Sequence, residues 1–145
     1  MAATVRQLLQ AKGGATHTVS PDISVFEALE QMAAHDIGAV LVTDKSDLVG
    51  IFSERDYARK IVLMGRVSRD TLVKEVMSSD LVTVGPAATV ADCMELMTRH
   101  RVRHLPVLEN GALIGIISIG DVVKAIMTQQ ELMISELESY ISGSR

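Results

Sequence analysis

The chain has 145 residues, 48% of them apolar and 22% charged, with three prolines and a net charge of −4 at neutral pH. That is a globular composition with enough apolar chain for a real core, and its negative balance excludes a nucleic-acid or anionic-membrane partner held by bulk electrostatics. No apolar run approaches the ~18 residues of a membrane span, the amphipathic start MAATVRQLLQ lacks a secretory signal's features, and Cys93 is the sole cysteine, so an internal disulfide and a multi-cysteine zinc site are excluded and a reducing, cytoplasmic setting is expected.

In chain order, TVRQLLQAKGG predicts a short helix with Gly13 or Gly14 beyond its end. HTVSP is an extended piece stopped by Pro21. A helix follows with Ser24 as N-cap, its apolar Val25, Ala28, Leu29 and Met32 at helical spacing. IGAVLVTD reads as an apolar strand, KSD as a turn and LVGIFS as a second strand. A helix then opens near Ser53 and runs through DYARKIVLMG. RDTLVKEVMSS looks like the counterpart of the first helix. After it the series recurs: LVTVGP stopped by Pro86, a Thr89 cap with Val90, Cys93, Met94 and Met97 on one face, and the strand VRHLPVLE. An NG turn, a strong hairpin signal, leads to LIGIIS. The last helix opens near Ser118, runs through DVVKAIMTQQ and extends into MTQQELMISELESYISG. There Gln130, Met133, Ile134, Leu137 and Ile141 share one face and glutamates line the other.

The recurrence is a duplication. Shifted by 65, residues 19–61 align with 84–126 without a gap, and 13 of the 43 aligned positions are identical, among them Gly50, Ser53 and Asp56 with Gly115, Ser118 and Asp121. Two copies are too few for a solenoid, so they predict a pseudo-two-fold pair around a joint core. The fold class is α/β, or α+β by a stricter count, with a three-stranded sheet per half. The expected organisation is an N-terminal helix (1–14), two motifs (15–70 and 71–128) and an amphipathic helical tail (129–145).

GIFSERD and GIISIGD mark the same strand–helix corner in each copy. A glycine on the strand admits the close approach of another backbone or a flat ring. Ser and Asp three apart at a helix start face the same way. A carboxylate accepting two hydrogen bonds side by side suits the vicinal hydroxyls of a ribose, and the free N–H groups of the helix start favour a phosphate. The same two residues are also a helix cap; their duplication argues for a ligand.

Element order, duplication and the G-h-h-S/T-x-x-D corner resemble a tandem pair of CBS motifs, the family named after cystathionine beta-synthase. SERDYARKI and LMTRHRVRHLP look like its stand-alone bacterial and organellar members. The resemblance implies a non-enzymatic regulatory module with two clefts for adenosine-containing ligands: AMP, ADP, ATP, NAD or S-adenosylmethionine. It places Ser53, Arg55, Asp56, Leu81, Val82, Thr83, Val102, Arg103, His104 and Pro106 in cleft one. Cleft two takes Thr16, His17, Thr18, Ile37, Gly38, Ala39, Ser118 and Asp121. Cleft one has Arg103 and His104 where cleft two has Gly38 and Ala39, so it is the better phosphate site. The amphipathic tail and the stand-alone likeness imply a homodimer signalling energy or redox state to an effector protein.

His100 and His104 are four apart, but Pro106 puts His104 on a strand and no third ligand is evident, so no metal is expected. Cys93 and the methionines read as core, and no residue is assigned a catalytic role. The alternative reading is a structural, dimerising module with vestigial clefts.

Overall fold

The structure is a computed structural model that describes residues 3–13 and 16–142. Gly14, one of the two expected helix stops, and the last three residues of the expected tail lie outside them. In chain order the elements are α1 (Val5–Lys12), β1 (Thr18–Val19), α2 (Val25–His35), β2 (Ala39–Asp44), β3 (Asp47–Ser53) and α3 (Glu54–Asp56). A π-helical stretch (Tyr57–Val62), a 3₁₀ turn (Ser68–Asp70) and α4 (Val73–Val76) follow. The second copy supplies α5 (Val90–His100), β4 (His104–Glu109), β5 (Ala112–Ser118) and α6 (Ile119–Ile141).

The chain forms two units. One is Ala15–Leu81; the other joins Met1–Gly14 to Val82–Arg145. In the first, β2 is the centre of a three-stranded sheet, parallel to β1 with Thr18 opposite Leu41 and antiparallel to β3 with Ala39 opposite Ser53. In the second, β4 and β5 pair antiparallel with His104 opposite Ser118. Both hairpin turns hold two residues at positive φ: Lys45 (50°) and Ser46 (73°), then Asn110 (53°) and Gly111 (81°). This is the backbone a two-residue hairpin loop needs to match strand twist.

The expected third strand of the second half is reduced to a single bridge, Val84 with Val107. In the first half the Leu41 N–H donates to the His17 carbonyl at 3.4 Å and extends the ladder. The repeat counterpart of Leu41 is Pro106, which has no N–H to donate. The ladder therefore stops at the bonds from Val84 N–H to the Pro106 carbonyl and from Leu108 N–H to the Val84 carbonyl, both 3.0 Å. The helix expected from Ser53 to Gly65 is also altered, since α3 passes at once into the π-helical stretch. Its wider turn buries Ile61, 1% exposed, while Lys60 faces Asp56.

Short leading helices complete each unit, and they are exchanged along the chain. The α2 start is tied to α4: Val25 N–H donates to the Thr71 carbonyl (2.8 Å) and Val73 N–H to that of Ile23 (2.9 Å). The α5 start is tied in the same way to α1, by Val5 N–H to the Ala88 carbonyl (2.8 Å) and Val90 N–H to that of Ala3 (3.0 Å). So α4, just before the second copy, packs with the first, and α1, before the first copy, packs with the second. Each unit keeps its own core, centred on Val25, Val40 and Phe52 in the first and on Val5, Leu105 and Ile117 in the second.

Candidate functional site

Both Ser–Asp corners are capping boxes. Asp56 N–H donates to Ser53 Oγ (3.2 Å), and the Ser53 N–H and Oγ both donate to Asp56 Oδ2 at 3.0 Å. The other oxygen is engaged too: Ser78 Oγ donates to Asp56 Oδ1 at 3.2 Å, and Lys60 Nζ lies 3.1 Å from it. Lys60 also donates to the Val76 carbonyl (2.9 Å). A carboxylate offers about four lone-pair positions, so the Asp56 carboxylate, 12% exposed, is fully used by its own chain.

The second corner is more open. Ser118 N–H donates to Asp121 Oδ2 (2.8 Å) and Asp121 N–H to Ser118 Oγ (3.2 Å). Lys12 Nζ, reaching from α1, donates to the same Oδ2 at 2.9 Å and to the Ile116 carbonyl at 3.0 Å. Asp121 Oδ1 accepts no hydrogen bond among the described residues, and the side chain is 24% exposed. Burial pushes the Asp121 carboxyl up, but the Ser118 N–H and the Lys12 ammonium outweigh it and hold it below the usual carboxylate range. The two lysines have no repeat relation. Position 60 corresponds to Ala125 in the second copy, yet an ammonium reaches each carboxylate, from the same helix in one unit and from the leading helix in the other.

The two strand glycines serve the protein itself. A Cβ on Gly50 would stand 2.5 Å from Met77 Sδ and 3.1 Å from the Ser78 carbonyl; on Gly115 it would stand 2.6 Å from Leu9 Cδ2. Each glycine thus admits a side chain from its unit's leading helix (Leu9) or from the residue just after it (Met77), where a flat ring or a backbone was expected. In the first unit the Ser78 backbone does come close, pairing with Ile51 at 2.8 and 3.0 Å.

Within each unit the structure brings together residues assigned to different clefts. In the first, Ser53 lies opposite Ala39, and the Glu54 N–H donates to the Gly38 carbonyl (3.0 Å). Ile37 and Gly38 also line a cavity of about 350 Å³ with Glu54, Asp36 and Met32. Thr16 is half-buried and Thr18 exposed, while the His17 ring stacks on His35 at 3.7 Å. Arg55 is exposed on α3, and half-buried Leu81 closes the unit. In the second unit, Ser118 and Asp121 adjoin His104, and the Arg103 carbonyl accepts from Ile119 N–H (2.9 Å). The Arg103 side chain is exposed and makes no hydrogen bond or ion pair among the described residues. His104, half-buried, has its pKa pushed down by burial and then by Lys12 and Arg103, against the pull of Asp121. Val82 and Val102 pack on the core, Pro106 is buried in β4, and Thr83 is half-buried.

Four residues at these corners escaped the sequence reading: Lys60, Ser78, Lys12 and Glu54. Only Lys60 had a local signal, the i,i+4 spacing from Asp56. Lys12 and Ser78 reach their carboxylates by tertiary placement. Among the described residues no group of three or more His, Cys, Asp or Glu is placed to hold a metal ion, and no helix is long and apolar enough to cross a membrane.

The family model of the CBS domain matches residues 15–63 and 73–128, once for each corner. The chain belongs to the CBS domain family. This CBS pair is 37% identical over 97% of its length to the mitochondrial CBS domain-containing protein CBSX3 of Arabidopsis thaliana, covering 72% of that protein. The crystal structure of the CBS domain NE2398 matches 88% of the chain and 99% of its own, at 48% identity and a TM-score of 0.84. The CBS-domain containing protein ATU1752 from Agrobacterium tumefaciens matches 85% and 98%, at 46% identity and a TM-score of 0.81. A more distant fold neighbour, the CBS domain pair of protein MJ0100, is 21% identical over 89% of this chain and 99% of its own, with a TM-score of 0.79; it was solved with 5′-methylthioadenosine and S-adenosyl-L-methionine. CBS pairs are regulatory, ligand-binding modules.

Proposed function

We propose that this CBS pair is a non-enzymatic sensor that binds adenosine-containing ligands, AMP, ADP, ATP or NAD, and reports energy or redox state to an effector protein as a cytoplasmic homodimer. The observation that carries the reading is Asp121. Its carboxylate stands at a helix N-terminus, is stabilised in its charged form by Ser118 N–H and Lys12, and keeps Oδ1 open. Two adjacent ribose hydroxyls would donate to such a group. Lys12, half turned to solvent, and the exposed Arg103 supply cations for phosphates. The adenosine-containing ligands of the MJ0100 pair support the ligand class.

The saturated Asp56 carboxylate favours a second reading for its own corner, a structural cap in a dimerising module with a vestigial cleft. Calorimetry with AMP, ATP and NAD separates them. Asp121→Ala is expected to weaken one binding event by about tenfold or more, the loss of charge-assisted hydrogen bonds worth about 1.5–3 kcal/mol each. Asp56→Ala does the same only if its corner opens to ligand. Absence of heat and of any thermal shift with every adenine nucleotide would establish the structural reading.

A further inference from the structure

Two exposed apolar surfaces of this chain carry opposite net charge. Val122 is the last buried residue of α6, and Ala125 and Ile126 still pack on the core, but from Gln130 to Ile141 every residue is exposed. That leaves a rod of twelve residues, about 18 Å at ~1.5 Å per residue. Met133, Leu137 and Tyr140 continue the core-facing stripe of Val122, Ile126 and Gln129 at helical spacing, with Ile141 beside them. They are 63%, 54%, 83% and 79% exposed in that order. The only charges on the rod are Glu131, Glu136 and Glu138. An isolated helix of this length is marginal in water, so its apolar stripe calls for a cover.

The complementary surface lies on the first unit. A groove of about 270 Å³ is lined by Arg59, Lys60, Met64, Arg66, Glu75 and Val76. Beside it Val62, Leu63, Met64 and Val67 are 55%, 77%, 70% and 57% exposed. The groove lining carries Arg59, Lys60 and Arg66 against Glu75, which pairs with Arg66 at 2.7 Å; the stretch 129–142 holds three carboxylates and no cation. We propose that the α6 tail of one copy of this chain lies in the groove of a second copy, its Met133–Leu137–Ile141 stripe on Val62, Leu63 and Met64 and its glutamates toward the Arg59 and Arg66 rim. The occupant is a second copy because the chain itself displays both halves of the contact, with complementary charge. An anionic membrane would repel the acidic tail. Under a two-fold axis the contact forms twice, each tail on the other chain's groove.

This rests on the homodimer part of the function above, not on nucleotide binding. The test mixes two full-length variants, Leu63→Cys and Leu137→Cys, under mild oxidation; the native Cys93 is buried and stays out of the reaction. A disulfide-linked species of about 31 kDa, twice 15.7 kDa, is expected in the mixture and in neither variant alone. Glu136→Arg with Glu138→Arg should weaken the dimer about tenfold or more. Light scattering that shows dimers without that cross-link overturns the tail–groove contact and leaves the homodimer standing. A monomer at micromolar concentration overturns both. In the double variant Leu63→Cys/Leu137→Cys, a disulfide closed within one monomeric chain overturns the contact by assigning the groove to the chain's own tail.

Discussion

Lys60→Met should convert the Asp56 corner from a closed cap into a better ribose site. The substitution keeps an unbranched apolar stem of similar length and deletes the ammonium 3.1 Å from Asp56 Oδ1. A hydrogen bond to a charged group contributes about 1.5–3 kcal/mol net. Lys60 is 41% exposed, so solvent screening brings this one to about 1 kcal/mol. Any ligand that takes Oδ1 must first displace the ammonium. Its removal should therefore tighten adenosine binding at this corner about fivefold, 1 kcal/mol being a little under two units of RT. The same deletion should lower the unfolding midpoint by about 3 °C in a chain of this size. Adenosine is the right probe, because a phosphate would gain from the displaced lysine and mask the effect. Titration calorimetry reads the affinity and scanning calorimetry the stability. A lower midpoint with adenosine affinity unchanged or weaker would show that Asp56 is a structural cap and that Lys60 guards nothing.

Arg103→Ala should weaken AMP, ATP and NAD about tenfold and spare adenosine, since the guanidinium has no partner to lose among the described residues; equal losses for adenosine and AMP would make it a packing residue. The pKa of His104 is depressed below the ordinary 6.5, so its neutral ring contributes stability that is complete above pH 6.5 and is lost as pH falls through the folded value. Wild type should accordingly lose more stability than His104→Gln between pH 7 and acid pH, in paired thermal melts; parallel curves would remove His104 from the pH response. Gly50→Ala should destabilise the first unit by about 1–3 kcal/mol by forcing Met77 and the Ser78 backbone outward. Adding Met77→Ala should recover much of that in urea unfolding, and no recovery would place the strain at the Ser78 carbonyl.

The duplication made most of the fold legible, because identical residues 65 apart fix both the order of elements and the caps. Ser24, Thr89, Ser53 and Ser118 all cap as their spacing requires. The lost third strand was written in Pro106 as well, but its effect appears only beside Leu41, the counterpart whose N–H extends the other sheet. The corners were half legible. Ser and Asp could be found by pattern, whereas the ammonium groups that hold the carboxylates come from Lys60 and Lys12, which occupy unrelated places in the repeat. A periodic signal cannot report a partner contributed once by a neighbouring helix and once by the start of the chain. The glycines show the same limit: their need for space was visible, their occupants Met77 and Leu9 were not.

The exchange of leading helices also sets a schedule for synthesis. Everything the first unit needs is made by Leu81, so it can close while the ribosome is still working. Val5, fully buried in the other core, waits for a set of partners that ends at Val122. At ~5–20 residues per second that interval is on the order of ten seconds. Throughout it α1 is an arm without a socket, which nascent chains stalled once Leu81 has cleared the ribosomal exit tunnel would reveal as rapid proteolysis confined to the first dozen residues. Neighbouring ribosomes on one message hold such arms close together, each as able to enter an adjacent chain's socket as its own.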